Sequence, residues 1–587
     1  MKPLVKSSVV LILVCVFAPI NNARADYHYA SHSGSDTYPY SSWETATDSI
    51  KYAIAAAEPG DTVYIGPGEY FEIVYMAGED SNLALIGSGI DSTYWWWNVL
   101  GTHTLNCANN TIVKHIHIAH TRTGAIRSGI YNTIWVDGCL FTGMLGIQSS
   151  GYGVGSGYIE NCIFRNVEGA LDADESVHFE VSNCLVDSSE GTAFFDIWAD
   201  TGLIENNIII DVDNFNAISI FSQSDSVLIR NNLIFGRFPH DGDCWSCRLV
   251  VNNTFDNLRR TYDYAAIAVW EPFVVFKNNS FSRALTAFRL HQNGSWNVPA
   301  SYSNLWDVDS FYTAENPGVT WDTVGITFNY PMFQNPDSGD YRLQAFSPLI
   351  DAGDPNILDV DGTRSDIGVF GGPRGRFYAY LDLPPDMPDS ISYLVWNDTI
   401  YFDWRDNYEA DFFGYLLHRD IISGFTPSPL NLIAEPESSF YPDAEVVLGE
   451  IYYYRIASLD IQGNRSEYSP EIAVTVTGVW QGDGAEMPRM TLIESNYPNP
   501  FNSSTTIVYS VANLGPIPAQ INIDIYDLLG RKVRSLINER KEVGLHKIIW
   551  DGKSESGEDM PSGIYFARIS QWQVALGGRP RKITLMR

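Results

Sequence analysis

Positive charge is scarce in this sequence: 37 Lys and Arg stand against 70 Asp and Glu, a formal net charge of −33 over 587 residues. That balance excludes nucleic acid and anionic membrane surfaces as partners and fits a solvated exterior protein. Beyond the first 25 residues there is no uninterrupted apolar run of about 18, so no later segment is expected to span a membrane as a helix. Through residues 111–306 no stretch keeps i, i+3, i+4 periodicity for about ten residues, which excludes amphipathic helices there. Cysteine is limited to seven residues. The Cys244-Trp-Ser-Cys247 pair lacks a second pair with which to build a zinc site, so a local disulfide is expected in an oxidising compartment.

What is present is a repeat. One phrase returns as Lys114-His-Ile-His-Ile118, Asp137-Gly-Cys-Leu-Phe141, Glu160-Asn-Cys-Ile-Phe164, Ser182-Asn-Cys-Leu-Val186, Glu205-Asn-Asn-Ile-Ile209, Arg230-Asn-Asn-Leu-Ile234, Val251-Asn-Asn-Thr-Phe255, Lys277-Asn-Asn-Ser-Phe281 and Tyr302-Ser-Asn-Leu-Trp306. Taking the third residue of each phrase, successive copies lie 23, 23, 22, 23, 25, 21, 26 and 25 residues apart. A period of that size marks a stacked repeat. Each copy holds short β-branched and aromatic runs punctuated by Gly, Asn, Asp and Ser, so three short strands per winding and about 4.8 Å between equivalent residues are expected. A parallel β-solenoid follows. A leucine-rich repeat shares the Asn/Cys-x-Leu element, but its Leu-x-x-Leu-x-Leu frame and helical return are missing. Cys139, Cys162 and Cys184 hold one repeat position and are expected to stack as buried thiols, a disulfide between neighbouring windings being the alternative.

Residues 1–25 read as a secretory signal peptide: Lys2 and Lys6 supply charge, Val9 to Ile20 an apolar run, and Ala23-Arg-Ala25 a cleavage site, with the mature chain starting at Asp26. Cys15 lacks the small residue before it that a lipoprotein would need. Residues 42–57 read as a helix ended by Pro59-Gly60, and Gly60-Asp-Thr-Val-Tyr-Ile-Gly-Pro-Gly-Glu-Tyr70 as a strand and tight turn. This entry, with closing segments Phe333 to Leu343, Ser347 to Pro355 and Asp359 to Gly372, resembles the right-handed parallel β-helix family that includes pectate lyases. The resemblance covers residues 26–376 and implies that the helix seals the open end of the core. Asp351, Asp354, Asp359, Asp361 and Asp366 lack the alternating ligands of an EF-hand, so turn chemistry is expected there, with calcium left open as a cofactor.

Residues 377–480 alternate as antiparallel strands with Trp404 and a tyrosine-rich late strand, Ile451 to Ser458, and resemble a fibronectin type III sandwich. Residues 487–587 carry Asn496-Tyr-Pro-Asn-Pro-Phe-Asn502, Ile523 to Arg531, His546 to Gly552, Ser562 to Ile569 and a basic end. Those landmarks, in order, are similar to the type A sorting domain of the type IX secretion system. The whole chain is therefore expected to be all-β, a β-helix followed by two β-sandwich modules. It is expected to be secreted or displayed at the outer-membrane cell surface, with the type IX machinery as a partner.

A second phrase recurs in each winding, as in Ala125-Ile-Arg, Ala170-Leu-Asp and Ala287-Phe-Arg. With its apolar second residue inward, strand alternation places Arg127, Gln148, Asp172, Ser219, Ala268 and Arg289 in one outer column, and Ser150, Asp174, Phe221, Trp270 and His291 beside it. Residues 193–198 break the pattern, turning Asp196 inward unless a bulge restores it. Asp172 and Asp174 alternate on one strand, so their carboxylates are expected about 6 to 7 Å apart, suiting a metal pair or an inverting acid/base pair. His115 and His117 share one strand face with His120 nearby, but no third ligand stands at metal spacing. The expected role is binding of extracellular polysaccharide through Gln148, Phe221, Trp270, Arg289 and His291. The family resemblance implies an alternative: a polysaccharide lyase with Arg127 as base, or a glycoside hydrolase with paired acids among Asp172, Asp174 and Asp196. A non-catalytic surface adhesin presenting Phe221 and Trp270 is a second alternative. No lyase or glycosidase signature stands at these positions, so the residues leave the choice open.

Overall fold

A computed structural model describes residues 25–128, 132–149, 155–189, 193–212, 216–221, 227–236, 242–244, 247–258, 265–269, 274–290, 297–314, 320–322, 324–396, 399–476, 481–482, 491–511, 519–527, 532–542, 544–571 and 581–585. Two compact units divide it, one of residues 1–343 and 348–379, the other of residues 344–347 and 380–587.

In the first unit, strands from Tyr27–Ala30 to Thr320–Asp322 pair in parallel, each with its counterpart one winding away. The cause of the repeated phrase is a backbone corner. A left-handed residue stands at each corner: the second residue of the first eight copies, His115, Gly138, Asn161, Asn183, Asn206, Asn231, Asn252 and Asn278, and the first residue of the ninth, Tyr302, with φ between 51° and 62°. Gly has no Cβ to clash there, and Asn is the side chain that best tolerates the region. The third residue then points inward. Cys139, Cys162 and Cys184 stack as free, buried thiols. Above them the same position becomes an amide ladder, in which Asn207 Nδ2 donates to Asn232 Oδ1, Asn232 to Asn253 and Asn253 to Asn279, each at 3.0 Å.

One register differs from the expected spacing. Asn304 pairs with Ser280, so Ser303 continues the column, its Oγ accepting from the Asn279 amide at 3.2 Å. Tyr302 takes the corner itself, which moves the ladder position one residue earlier than the Asn suggested. Inside, aromatic rings also stack winding on winding: Phe141 on Phe164 and Phe255 on Phe281, both at 4.9 Å. Among the described residues, ten aromatic side chains from Tyr70 to Phe288 belong to this core.

The expected helix over residues 42–57 is shorter, only Ile50–Ala55. Thr47 exchanges backbone hydrogen bonds with Tyr29 and Ser31, which holds the preceding residues against the first strand instead. The helix amides of Ile50 and Lys51 donate to the Glu72 carboxylate at 2.6 and 3.3 Å, placing negative charge at the helix start. Ile50, Ala53 and Ile54 join the solenoid core.

The closing segments lie along the corner flank. Asn231 Nδ2 donates to the carbonyls of Val369 and Gly371 at 2.9 and 2.6 Å, Asn252 Nδ2 to that of Asp366 at 3.0 Å, and Asn278 Oδ1 accepts the Asp354 amide at 2.7 Å. Leu233, Phe333, Tyr341, Leu343, Leu349 and Ile367 form a second apolar cluster there. The aspartates weighed for calcium serve turns: Asp366 accepts the Asp351 amide, Asp359 the Asp366 amide, Asp361 the Thr363 amide, and Asp354 pairs with Lys277 at 2.6 Å.

The second unit is antiparallel. Sheets ordered Phe440–Asp443, Thr399–Asp403, Ser392–Trp396, Gln481–Gly482 and Leu432–Ala434, Phe412–Asp420, Ile451–Asp460, Ile472–Thr475 enclose one core around Trp404, Phe402, Tyr454 and Leu417. A three-stranded sheet of Leu492–Tyr497, Thr505–Val511 and Gly544–Trp550 faces a four-stranded sheet built on Ala519–Asp527 and Gly563–Gln571 across a second core. There Asn499 Oδ1 accepts the Thr584 amide at 2.7 Å and Phe501 bonds the Thr584 carbonyl, so the Asn-Pro-Phe landmark holds the strand Arg581–Leu585 in place.

Candidate functional site

Strand register carries one position of the second phrase up the solenoid. Asn106 pairs with Arg127, Arg127 with Gln148, Gln148 with Asp172, Asp172 with Asp196 and Asp196 with Ser219. The column continues through Asp243, Ala268, Arg289 and Thr313. It faces outward because its neighbours on each strand face in: Leu105, Ile126, Ile147, Leu171 and Phe195 are all buried. From Arg127 to Arg289 the column runs seven strand spacings, about 34 Å.

Asp196 stands in this column, so the expected break is corrected. Phe195, not Phe194, pairs with Leu171 and Ile218 and is fully buried, which means that the phrase in this winding begins one residue later than read. Asp174 is the converse case. The register shifts between Ala173 and Ser176, so regular alternation from Asp172 to Asp174 is interrupted by a bulge. Asp172 therefore has Asp196, one winding away, as its register partner. The side chains of Asp174, Asp196 and Phe221 lie outside the described residues, as do all of Trp270 and His291. Phe221 pairs by backbone with Trp198. The side chains of Cys244 and Cys247 are likewise outside, so their expected disulfide is not described.

At the lower end of the column the polar groups are connected. Gln148 Nε2 donates to Asp172 Oδ2 at 3.0 Å, and Gln148 Oε1 accepts from His103 Nε2 at 3.0 Å. His103 is nearly buried, and burial lowers its pKa from the usual imidazole value, opposed by the Gln148 bond and assisted by the Arg127 charge. Its Nε2 donates to the Gln148 oxygen. His120, fully buried, is lowered by burial and by His103 beside it. Below Arg127, the Asn106 side-chain nitrogen is buried with no hydrogen-bond partner among the described residues, a situation that costs about 1–3 kcal/mol.

Of the expected residues, the column joins Arg127, Gln148, Asp172, Asp196 and Arg289; the first four are consecutive and Arg289 lies farther along. His115, His117 and His120 are not assembled as a metal site: His115 sits at a corner, His117 bonds Thr142 Oγ1 at 2.8 Å, and His120 Nδ1 accepts the Thr123 amide at 2.8 Å. Sequence reasoning missed His103, Asn106, Asp243 and Thr313. Extending the second phrase one winding back, onto Thr104-Leu-Asn106, would have found Asn106.

No curated protein matches the chain. Among solved structures, the latent dimeric PorU of Porphyromonas gingivalis is 18% identical over 35% of this chain, with a TM-score of 0.20, and the match spans only 20% of that protein's length. Pectin methylesterase from carrot is 12% identical over 47% of this chain and 84% of its own, with a TM-score of 0.23. The chicken CNTN1 FN1–FN3 domains are 12% identical over 35% of this chain and 70% of their own, with a TM-score of 0.14. The second unit is different in kind, because residues 495–575 match the family model of the secretion system C-terminal sorting domain. The chain carries a type IX sorting domain and is a secreted or cell-surface protein.

Proposed function

We propose that the solenoid binds an extracellular polysaccharide along the outer column from Asn106 to Asp196. The observation that carries this reading is the connected set of Asp172, Gln148 and His103, in which Gln148 and Asp172 succeed Arg127 in the column and His103 stands on the strand of Asn106. Donors and acceptors then succeed one another at about 4.8 Å, close to the length of one pyranose ring, so that consecutive sugars meet equivalent positions. With a formal charge of −33, the protein favours a neutral glycan over a polyanionic one.

Titration calorimetry of the secreted protein against a panel of neutral and uronate-containing polysaccharides tests this. Binding to at least one glycan, weakened at least about tenfold by Asp172→Asn or Arg127→Ala, is expected. No heat with any member, or binding that both variants leave unchanged, defeats the proposal. A second reading, a polysaccharide lyase or glycoside hydrolase, is favoured by the register pairing of Asp172 with Asp196. Incubation with the same panel, followed by absorbance of unsaturated products and by reducing ends, separates the two. Neither signal on a glycan that binds leaves binding alone.

A further inference from the structure

Asp382, Asp411 and Asp460 come from three separate places in the antiparallel unit. Asp382 lies in the segment that leads into the first sandwich, Asp411 immediately precedes the strand Phe412–Asp420, and Asp460 ends the strand Ile451–Asp460, where its register partner is Phe412. One carboxylate oxygen from each lies within 4.8 Å of the others. Oxygens about 2.4 Å from a shared calcium ion and on opposite sides of it are separated by about that distance.

Proximity of acids is not sufficient, and a second observation bears on the point. Asp411 is only 5% exposed, yet its carboxylate receives no hydrogen bond beyond that of its own amide and, among the described residues, pairs with no Lys, Arg or His. It is aimed at the other two carboxylates. Asp460, 2% exposed, accepts from the Asn464 amide and side chain at 2.7 and 2.9 Å, which fixes its orientation while leaving each oxygen a further lone pair. Asp382 is exposed and forms the open side through which an ion and its waters exchange. A cation between the three offsets the mutual repulsion of carboxylates held this close.

We propose that Asp382, Asp411 and Asp460 bind one calcium ion, which ties the entry segment of the first sandwich to the adjoining ends of two of its strands. The ligand set is all hard oxygen, without thiol or imidazole, which selects calcium over zinc or copper, and the wide, partly open cluster suits calcium better than the small, strictly octahedral magnesium ion.

The test uses the full secreted chain stripped with EGTA, compared with Asp382→Asn and Asp411→Asn. Thermal unfolding is followed with increasing calcium chloride and, separately, magnesium chloride. A saturable rise in the unfolding temperature of the wild-type protein is expected, half-complete at roughly 10⁻⁴ M calcium or below and weaker with magnesium. Asp382→Asn, which alters only an exposed group, should shift the half-point at least about tenfold upward, and Asp411→Asn should abolish the rise. The many other acids of the chain are common to all three proteins, so equal responses in wild type and Asp382→Asn overturn the proposal whatever Asp411→Asn does. So does a wild-type protein whose unfolding temperature calcium leaves unchanged.

Discussion

At Asn206 the backbone is left-handed, with φ of 57°, and the side chain is not fully buried. What the position requires is conformational tolerance. Asn206→Gly should change the stability of the solenoid by less than about 1 kcal/mol, whereas Asn206→Val, β-branched at positive φ, should cost about 1–3 kcal/mol in urea unfolding. Asp403 makes a different demand. Burial raises its carboxyl from the ordinary 3.8 to about 7, with Arg581 opposing and Glu494 and Asp406 adding to the shift. The native state therefore keeps a proton that the unfolded chain has already released, and stability of the antiparallel unit falls as pH rises from about 4 through about 7. Asp403→Asn should flatten that slope and stabilise the unit by about 1–3 kcal/mol above pH 7, measured by thermal unfolding across pH.

The amide ladder acts as an element because each rung completes the next. Asn253 Oδ1 accepts from both the backbone and side-chain nitrogens of Asn232, and its Nδ2 reaches Ile229, Val251 and Asn279. Asn253→Ala strands several buried groups at once and should cost about 2–4 kcal/mol. The thiols below report the loss: burial pushes Cys107 up to about 12 and raises Cys139 and Cys162 well above the usual thiol range, so alkylation of these native cysteines should be slow and should accelerate in the variant.

Most of this element was legible in the sequence, because a left-handed corner and an inward ladder each restrict the residues allowed, and two restrictions in tandem leave the recurring Asn-Asn and Asn-Cys. The outer column was legible only in part. Nothing restricts an outward residue except solvent, so Arg127, Gln148 and Asp172 were placed by their inward neighbours, while Phe194 in place of the usual Ala displaced the reading at Asp196. His103 escaped because it precedes the first repeat phrase, and its link to Gln148 joins windings two apart, which no spacing along the chain displays. The helix was overread for a tertiary reason, the pairing of Thr47 with Tyr29 and Ser31 overriding local propensity.

For the molecule as a whole, export and display rest on residues 495–575, independently of what the solenoid binds. Deleting residues 496–587 should leave the protein in the periplasm of a host with type IX machinery; its appearance in the medium, followed by immunoblotting of cell fractions, would contradict the assignment. The solenoid has its own internal asymmetry. Asn231, Asn252 and Asn278 use their side chains to clasp the segment around Asp354 to Gly371, while the corners at Asn183 and Asn206 have no such overlay among the described residues. Local opening that starts in the earlier windings thus meets a mechanical stop at Asn231, and the later windings behave as a braced stump from which a frayed coil can rewind without losing its place.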